Sequence, residues 1–141
     1  MSHGLRKRDL QTLSATRLND AQLLFEHGRW ASAYYLAGYA VELALKACAA
    51  SQFAADAIPD RKLVQDLHTH DLPKLISLAG LQPELKTRQD EDVEFALNWG
   101  LAAEWKPESR YELNDKSSAD YLIYAVSENT HGVLPWIQTF W

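Results

Sequence analysis

The stretch from Ala31 to Ala50 constrains the fold more than any other part of the chain. Ala33, Ala37, Ala40, Ala44 and Ala47 recur every three or four residues, so a helix gathers them on one narrow face without bulk. Tyr35, Leu36, Tyr39, Leu43 and Leu45 cover the flanks. With so few polar positions the helix must be central and mostly buried, and its small-residue face lets a neighbouring helix come close. Glu42 and Lys46 interrupt the apolar run, and two charges weigh heavily against a membrane span. The segment therefore reads as a core helix, with no membrane involved.

The rest of the sequence agrees with an all-α chain. Ala 19 and Leu 21 far outnumber Val 5 and Ile 4, a surplus of helix formers over β-branched residues. A length of 141 residues suits one domain, read as a single helical unit over 1–141. The net charge of -5 excludes a uniformly basic nucleic-acid coat, though not a local patch. Residues 1–50 carry six basic and four acidic groups, whereas 51–141 carry eight basic and fifteen acidic. The single cysteine, Cys48, has no internal disulfide partner and reads as a small buried hydrophobe. The first twenty residues are polar and charged, unlike a signal peptide, so a reducing cytoplasm is the expected compartment.

The periodicity predicts packed helices with short breaks. A first helix spans about Leu5 to His27 and stops at Gly28; a second spans about Trp30 to Ser51. After a break at Pro59-Asp60, Arg61 to Leu67 suits a short helix. Asp71 then caps another, with Pro73 in its first turn and Gly80 as its stop. A fourth major helix is expected from about Pro83 to Trp99 or Ala103, ended by Trp105-Lys106-Pro107. Residues 106–116 read as a loop with Arg110-Tyr111 in its middle. Ser117, with Asp120 three places later, opens a long final helix, interrupted at Gly132 and kinked at Pro135.

Several residues carry chemistry. Glu42 and Lys46, four apart, suit an ion pair, while burial among Val41 and Leu43 also makes Glu42 a candidate general base. His68, His70 and Asp71 hint at a metal site, but without a second ligand cluster the preferred reading is a loop end. Asp90-Glu91-Asp92 with Glu94 reads as a solvated face, with Mg²⁺ coordination as the sharper alternative. No metal or other cofactor is assigned. Arg6-Lys7-Arg8 with Arg17 could touch phosphates, but a solvated helix start is preferred. Trp105, beside a Pro, and Trp141, at the terminus, are hard to bury in one subunit and suit a dimer contact.

Gly28-Arg29-Trp30-Ala31-Ser32-Ala33-Tyr34-Tyr35-Leu36-Ala37-Gly38-Tyr39-Ala40-Val41-Glu42-Leu43-Ala44-Leu45-Lys46-Ala47 resembles the second-helix signature of HEPN domains, the nucleotide-binding domains of higher eukaryotes and prokaryotes. His70-Asp71-Leu72 with Leu75 and Ala79-Gly80-Leu81 resembles their next block. Trp105, Arg110-Tyr111 and a final helix around Trp136 resemble the third. The resemblance implies a compact antiparallel bundle of four to five helices and a homodimer. It also implies work in toxin–antitoxin, defence or stress systems, either as a metal-independent endoribonuclease or as a non-catalytic partner of a nucleotidyltransferase. The nuclease branch is recognised by Arg, four to six residues, then His near the last helix, the Arg acting on phosphate and the His on the ribose 2′-hydroxyl.

After Arg110, however, the next His is His131, twenty-one places on. Arg61 and His68 have the spacing but precede the His70-Asp71-Leu72 block. The reading therefore leans away from an enzyme. Its preferred form is a dimer that binds a nucleotide, nucleic acid or nucleotidyltransferase. Arg110 offers a phosphate fork and Tyr111 a stacking face, and Lys46, His70, Asp71 and Glu42 are candidates for the same cleft. Its alternative is a ribonuclease with a displaced Arg61/His68 site.

Overall fold

The computed structural model describes residues 6–53 and 56–141. Among these there are eight α-helices, one short 3-10 helix and no strand, an all-α bundle as expected. α1 (Lys7–Glu26) and α2 (Trp30–Ala50) form a long hairpin across a three-residue turn. α3 (Arg61–Asp66), α4 (Leu72–Leu78), α5 (Gln82–Glu91) and α6 (Val93–Ala103) follow. The 3-10 helix Pro107–Tyr111 leads into α7 (Lys116–Ser127) and α8 (Val133–Gln138). Four helices exceed ten residues, α5 has ten, and the rest are short pieces of six or seven, which is how eight helices fit a bundle of four to five main members. The expected start of the first helix at Leu5 lies outside the described residues.

α2 is the axis of the molecule: α1, α4, α7, α8 and the 3-10 helix all pack against it. All five alanines of its narrow face are completely buried. The close approach is direct, because Ser14 Oγ on α1 donates to the Ala40 carbonyl of α2 across 2.7 Å. A β-branched or longer residue at Ala37 or Ala40 would hold α1 away and strip that hydroxyl of its acceptor. Around this rod Leu45, Leu72, Leu75, Ile76, Phe95, Leu122, Val126 and Ile137 fill the core.

The stops fall where the sequence puts them. Gly28 and Gly80 take φ of +74° and +75°, the left-handed region that side chains avoid. Asp71 caps α4 by accepting from the Lys74 N–H at 2.9 Å.

Four details differ from the sequence reading. The helix expected from Pro83 onwards is two helices, because Asp92 leaves helical geometry (φ -141°, ψ 99°) and caps α6 through the Phe95 N–H. Asp115, not Ser117, caps α7, so the Ser117/Asp120 pair plays no such part. The final helix is not kinked at Pro135. It breaks earlier, at Glu128–Gly132, and Pro135 lies in the first turn of α8, where its missing donor costs nothing. The 106–116 loop contains one 3-10 turn, which carries Arg110 and Tyr111.

The tryptophans also differ from expectation. Trp105 is buried inside the subunit at 2% exposure. Gly38 makes the room: a Cβ there would fall 2.1 Å from Trp105 Cγ, and the indole N–H donates to the Tyr35 carbonyl. Trp141 is half-buried, its indole N–H reaching the Ala44 carbonyl at 3.3 Å. Trp105 is therefore housed within the subunit, whereas Trp141 is only partly covered by it.

Candidate functional site

Tyr35, Tyr39, Glu42 and Lys46 are spaced by four, three and four residues, so they line one side of α2. The aromatic end begins with Trp105, whose ring lies 5.9 Å from Tyr35, and Tyr35 lies 6.0 Å from Tyr39. Burial, and then the neighbouring Glu42 carboxylate, push the Tyr39 hydroxyl up from its ordinary pKa. It therefore stays a neutral phenol throughout the physiological range.

At the charged end Glu42 is 3% exposed, and each of its oxygens has a cation or donor. Oε1 lies 3.0 Å from His70 Nδ1 and Oε2 lies 3.3 Å from Lys46 Nζ. A buried carboxylate without partners would be costly; these two compensate it. The helical spacing found Lys46, and only the fold could bring in His70, twenty-eight residues away at the entry to α4. With Nδ1 facing a carboxylate, the exposed imidazole of His70 keeps Nε2 free.

Arg110 and Tyr111 lie beyond the aromatic end. The Arg110 guanidinium stacks 4.9 Å from the Tyr111 ring centre, and both are exposed. The Tyr111 and Tyr35 hydroxyls raise the proton affinity of Arg110 further, so it remains a cation at any relevant pH.

The six candidate binding residues thus divide. Glu42, Lys46 and His70 meet; Arg110, on the 3-10 turn, sits by Tyr35 at the other end of the α2 stripe, with Tyr111 stacked beside it. Asp71 is spent on its helix cap. Arg61 opens α3 and His68 follows its end, separated by about 10 Å of helical rise. Both are exposed, and α3 buries no residue. His68 lines an apolar groove of about 520 Å³ with Leu10, Lys46, Phe53 and Leu67, and Arg61 is not among its walls. Of the basic group, Arg17 is engaged by Asp20 at 2.9 Å.

A second polar centre was not anticipated. His131 Nδ1 lies 2.6 Å from Asp92 Oδ2 and His131 Nε2 lies 3.2 Å from Glu94 Oε2. Arg88 reaches the same Asp92 oxygen at 3.3 Å and donates to the Thr130 carbonyl. Tyr124 donates to Glu94, and Asn98 to the His131 carbonyl. The Phe95 N–H, then the His131 side chain, hold the Asp92 carboxyl below its ordinary pKa. The hydrogen bond to Asp92 raises that of His131. The reading of Asp90–Glu94 as a solvated face therefore holds for Asp90 and Glu91, and fails for Asp92 and Glu94, which join α5, α6 and the α7–α8 turn. The local signal was present as an Asp three residues before Phe95, a capping pattern hidden inside what looked like one long helix.

Among the described residues no helix is long and apolar enough to cross a membrane. A family model for the HEPN domain matches residues 14–128, which include α2, the Glu42–His70 contact and the Arg110–Tyr111 turn. No curated protein matches, and no solved structure matches.

Proposed function

The chain belongs to the HEPN domain family, and on that premise we propose that it is a non-catalytic, homodimeric member that binds a nucleotide or RNA segment along the outer stripe of α2. HEPN domains are helical domains of nucleotide and RNA biology, and the proposal concerns what this one does with that inheritance. The observation that carries it is the order of groups on the stripe. Arg110 presents a planar fork suited to phosphate, Tyr111 and Tyr35 present ring faces to a base, and Lys46 supplies a cation eleven residues further along α2, with His70 beside it at the entry to α4. In a toxin–antitoxin, defence or stress setting, a nucleotidyltransferase is the protein partner this reading expects.

Binding is tested by fluorescence titration of the full chain with ATP and with a labelled single-stranded RNA. Arg110→Ala should weaken binding about 10-fold or more, the scale of one charge-assisted contact. RNA affinity should fall steeply with salt. Equal affinity in wild type and Arg110→Ala, or a flat salt response, overturns the proposal.

One observation favours a second reading, metal-independent RNA cleavage at a displaced site. Glu42 orients His70 through Nδ1, which leaves Nε2 placed to take a proton from a ribose 2′-hydroxyl. RNA hydrolysis in a chelator, lost in His70→Ala and kept in Arg61→Ala and His68→Ala, would support it. Loss in the latter two instead would return the chemistry to α3.

A further inference from the structure

A helix that is apolar on every side is a buried helix, and α6 breaks that rule. Its inward side, with Phe95, Asn98, Trp99 and Ala102, is buried as it should be. Its outward side carries Val93 and Leu97, 73% and 68% exposed, and Leu101 beside the exposed Gly100. The arrangement is inverted: the polar Asn98 faces inward, and the solvent side holds the branched aliphatics. Tyr121 and Tyr124 of the neighbouring α7 extend the patch, Tyr121 at the Leu101 end, where the two line one shallow pocket, and Tyr124 at the Glu94 end. The exposed parts of these five large side chains come to roughly 500 Å², on the scale of about 150–250 Å² for a whole aromatic. That is at the upper end of what a monomer leaves open to water.

We infer that this face is the contact between two copies of the chain, with α6 packed antiparallel against α6 of the second copy about a two-fold axis near Leu97. The inference rests on the dimeric reading above and names its surface. The spacing is self-complementary: Val93, Leu97 and Leu101 stand four apart, so reversing the helix about Leu97 maps the row onto itself. Such reciprocity is what an isologous contact requires. Val93 of one copy then meets Leu101 of the other, and Gly100 lets the backbones approach, since nothing stands within 4 Å of where its Cβ would be.

Within α6 the charges allow it: Glu94 is its only charged residue, and it is already engaged by His131 and Tyr124. Glu104, the exposed C-cap three residues past Leu101, and Asp90, which the reversal sets opposite it, belong to the rim of the contact, where water still screens them. The area is adequate too. A standard interface takes roughly 800 Å² from each partner, of which about 65% is apolar in homodimers, and the patch supplies about that apolar share.

Sedimentation equilibrium of the full chain tests this at tens of micromolar. Wild type should be a dimer. Leu97→Asp, which would set two carboxylates against each other on the axis, should weaken association at least about 100-fold. Leu23→Asp, on the exposed side of α1, should leave it unchanged. Leu97→Cys should form a disulfide-linked dimer under mild oxidation, because a residue on the axis meets its own copy, and the buried Cys48 should not compete. A monomeric wild type overturns both the dimeric reading and this face. A wild-type dimer that Leu97→Asp leaves intact, with no Leu97→Cys cross-link, overturns the face and leaves the dimer standing.

Discussion

His131 Nδ1 meets Asp92 Oδ2 at 2.6 Å while its other ring nitrogen faces Glu94 Oε2. Carboxylates only accept, and a neutral imidazole has one N–H to give. Both contacts are therefore satisfied only by the imidazolium. The charge ties the start of α6 to the turn between α7 and α8, whose Thr130 and His131 N–H groups donate to Glu128.

That geometry sets a pH dependence. Folding raises the His131 pKa above its unfolded value near 6.5, so its contribution is full below that pH and is lost as pH rises through the folded value. Folding lowers the Asp92 pKa, so its contribution is full above about 3.9 and is lost as pH falls through the folded value. The clamp is strongest between those limits. Thermal unfolding followed from pH 4 to 9 should show Tm declining on the alkaline side in wild type, and less so in His131→Gln. Parallel curves would remove His131 from the account.

Gly38 and Trp105 give a packing test. A Cβ at Gly38 would overlap the indole at about 2 Å, against Cγ and its two ring neighbours at the base of the side chain rather than a flexible far end. Gly38→Ala should therefore cost about 1–3 kcal/mol or displace Trp105, as overpacked cores do. Urea unfolding gives the first, and a red-shifted tryptophan emission the second. An unchanged midpoint and spectrum would contradict the contact.

What could be read in the sequence follows from the range of the forces involved. The alanine row, the Gly28 and Gly80 stops and the Asp71 cap are local, and each is where the pattern put it. Glu42–Lys46 was legible for the same reason, as an i,i+4 pair. His70 meeting Glu42, and Arg88 meeting His131 through Asp92, join residues twenty-eight or more apart, and no spacing rule reaches that far. The Asp92 break was missed because helical periodicity continues on both sides of it. Trp105 was misplaced because its burial depends on Gly38, sixty-seven positions earlier, lacking a side chain.

The two caps separate local from long-range roles. Asp71→Ala removes one cap bond and should cost about 0.5–2 kcal/mol. Asp92→Ala removes a cap and also the shared acceptor of Arg88 and His131, so it should cost more. A double-mutant cycle with His131→Gln isolates the difference as a coupling. Zero coupling would make Asp92 a cap and nothing else.

The Glu42 cluster should respond asymmetrically. Its carboxylate is the group that cannot reach water, whereas Lys46 is a fifth exposed and His70 more than half. Glu42→Gln strands no buried charge, since Lys46 can swing outward on its flexible stem, and should cost about 1–3 kcal/mol. Lys46→Met leaves the buried carboxylate with His70 alone, and should cost about 2–4 kcal/mol, short of the ~3–5 for a buried charge left without any partner. Replacing both together should cost less than the two separate losses combined, because the second change removes the charge that the first one stranded. Chemical denaturation of the three variants at pH 7 measures this. If Glu42→Gln proves the more harmful single change, the pair is held by the lysine's position, and Glu42 is not the buried charge around which this end of the stripe is organised.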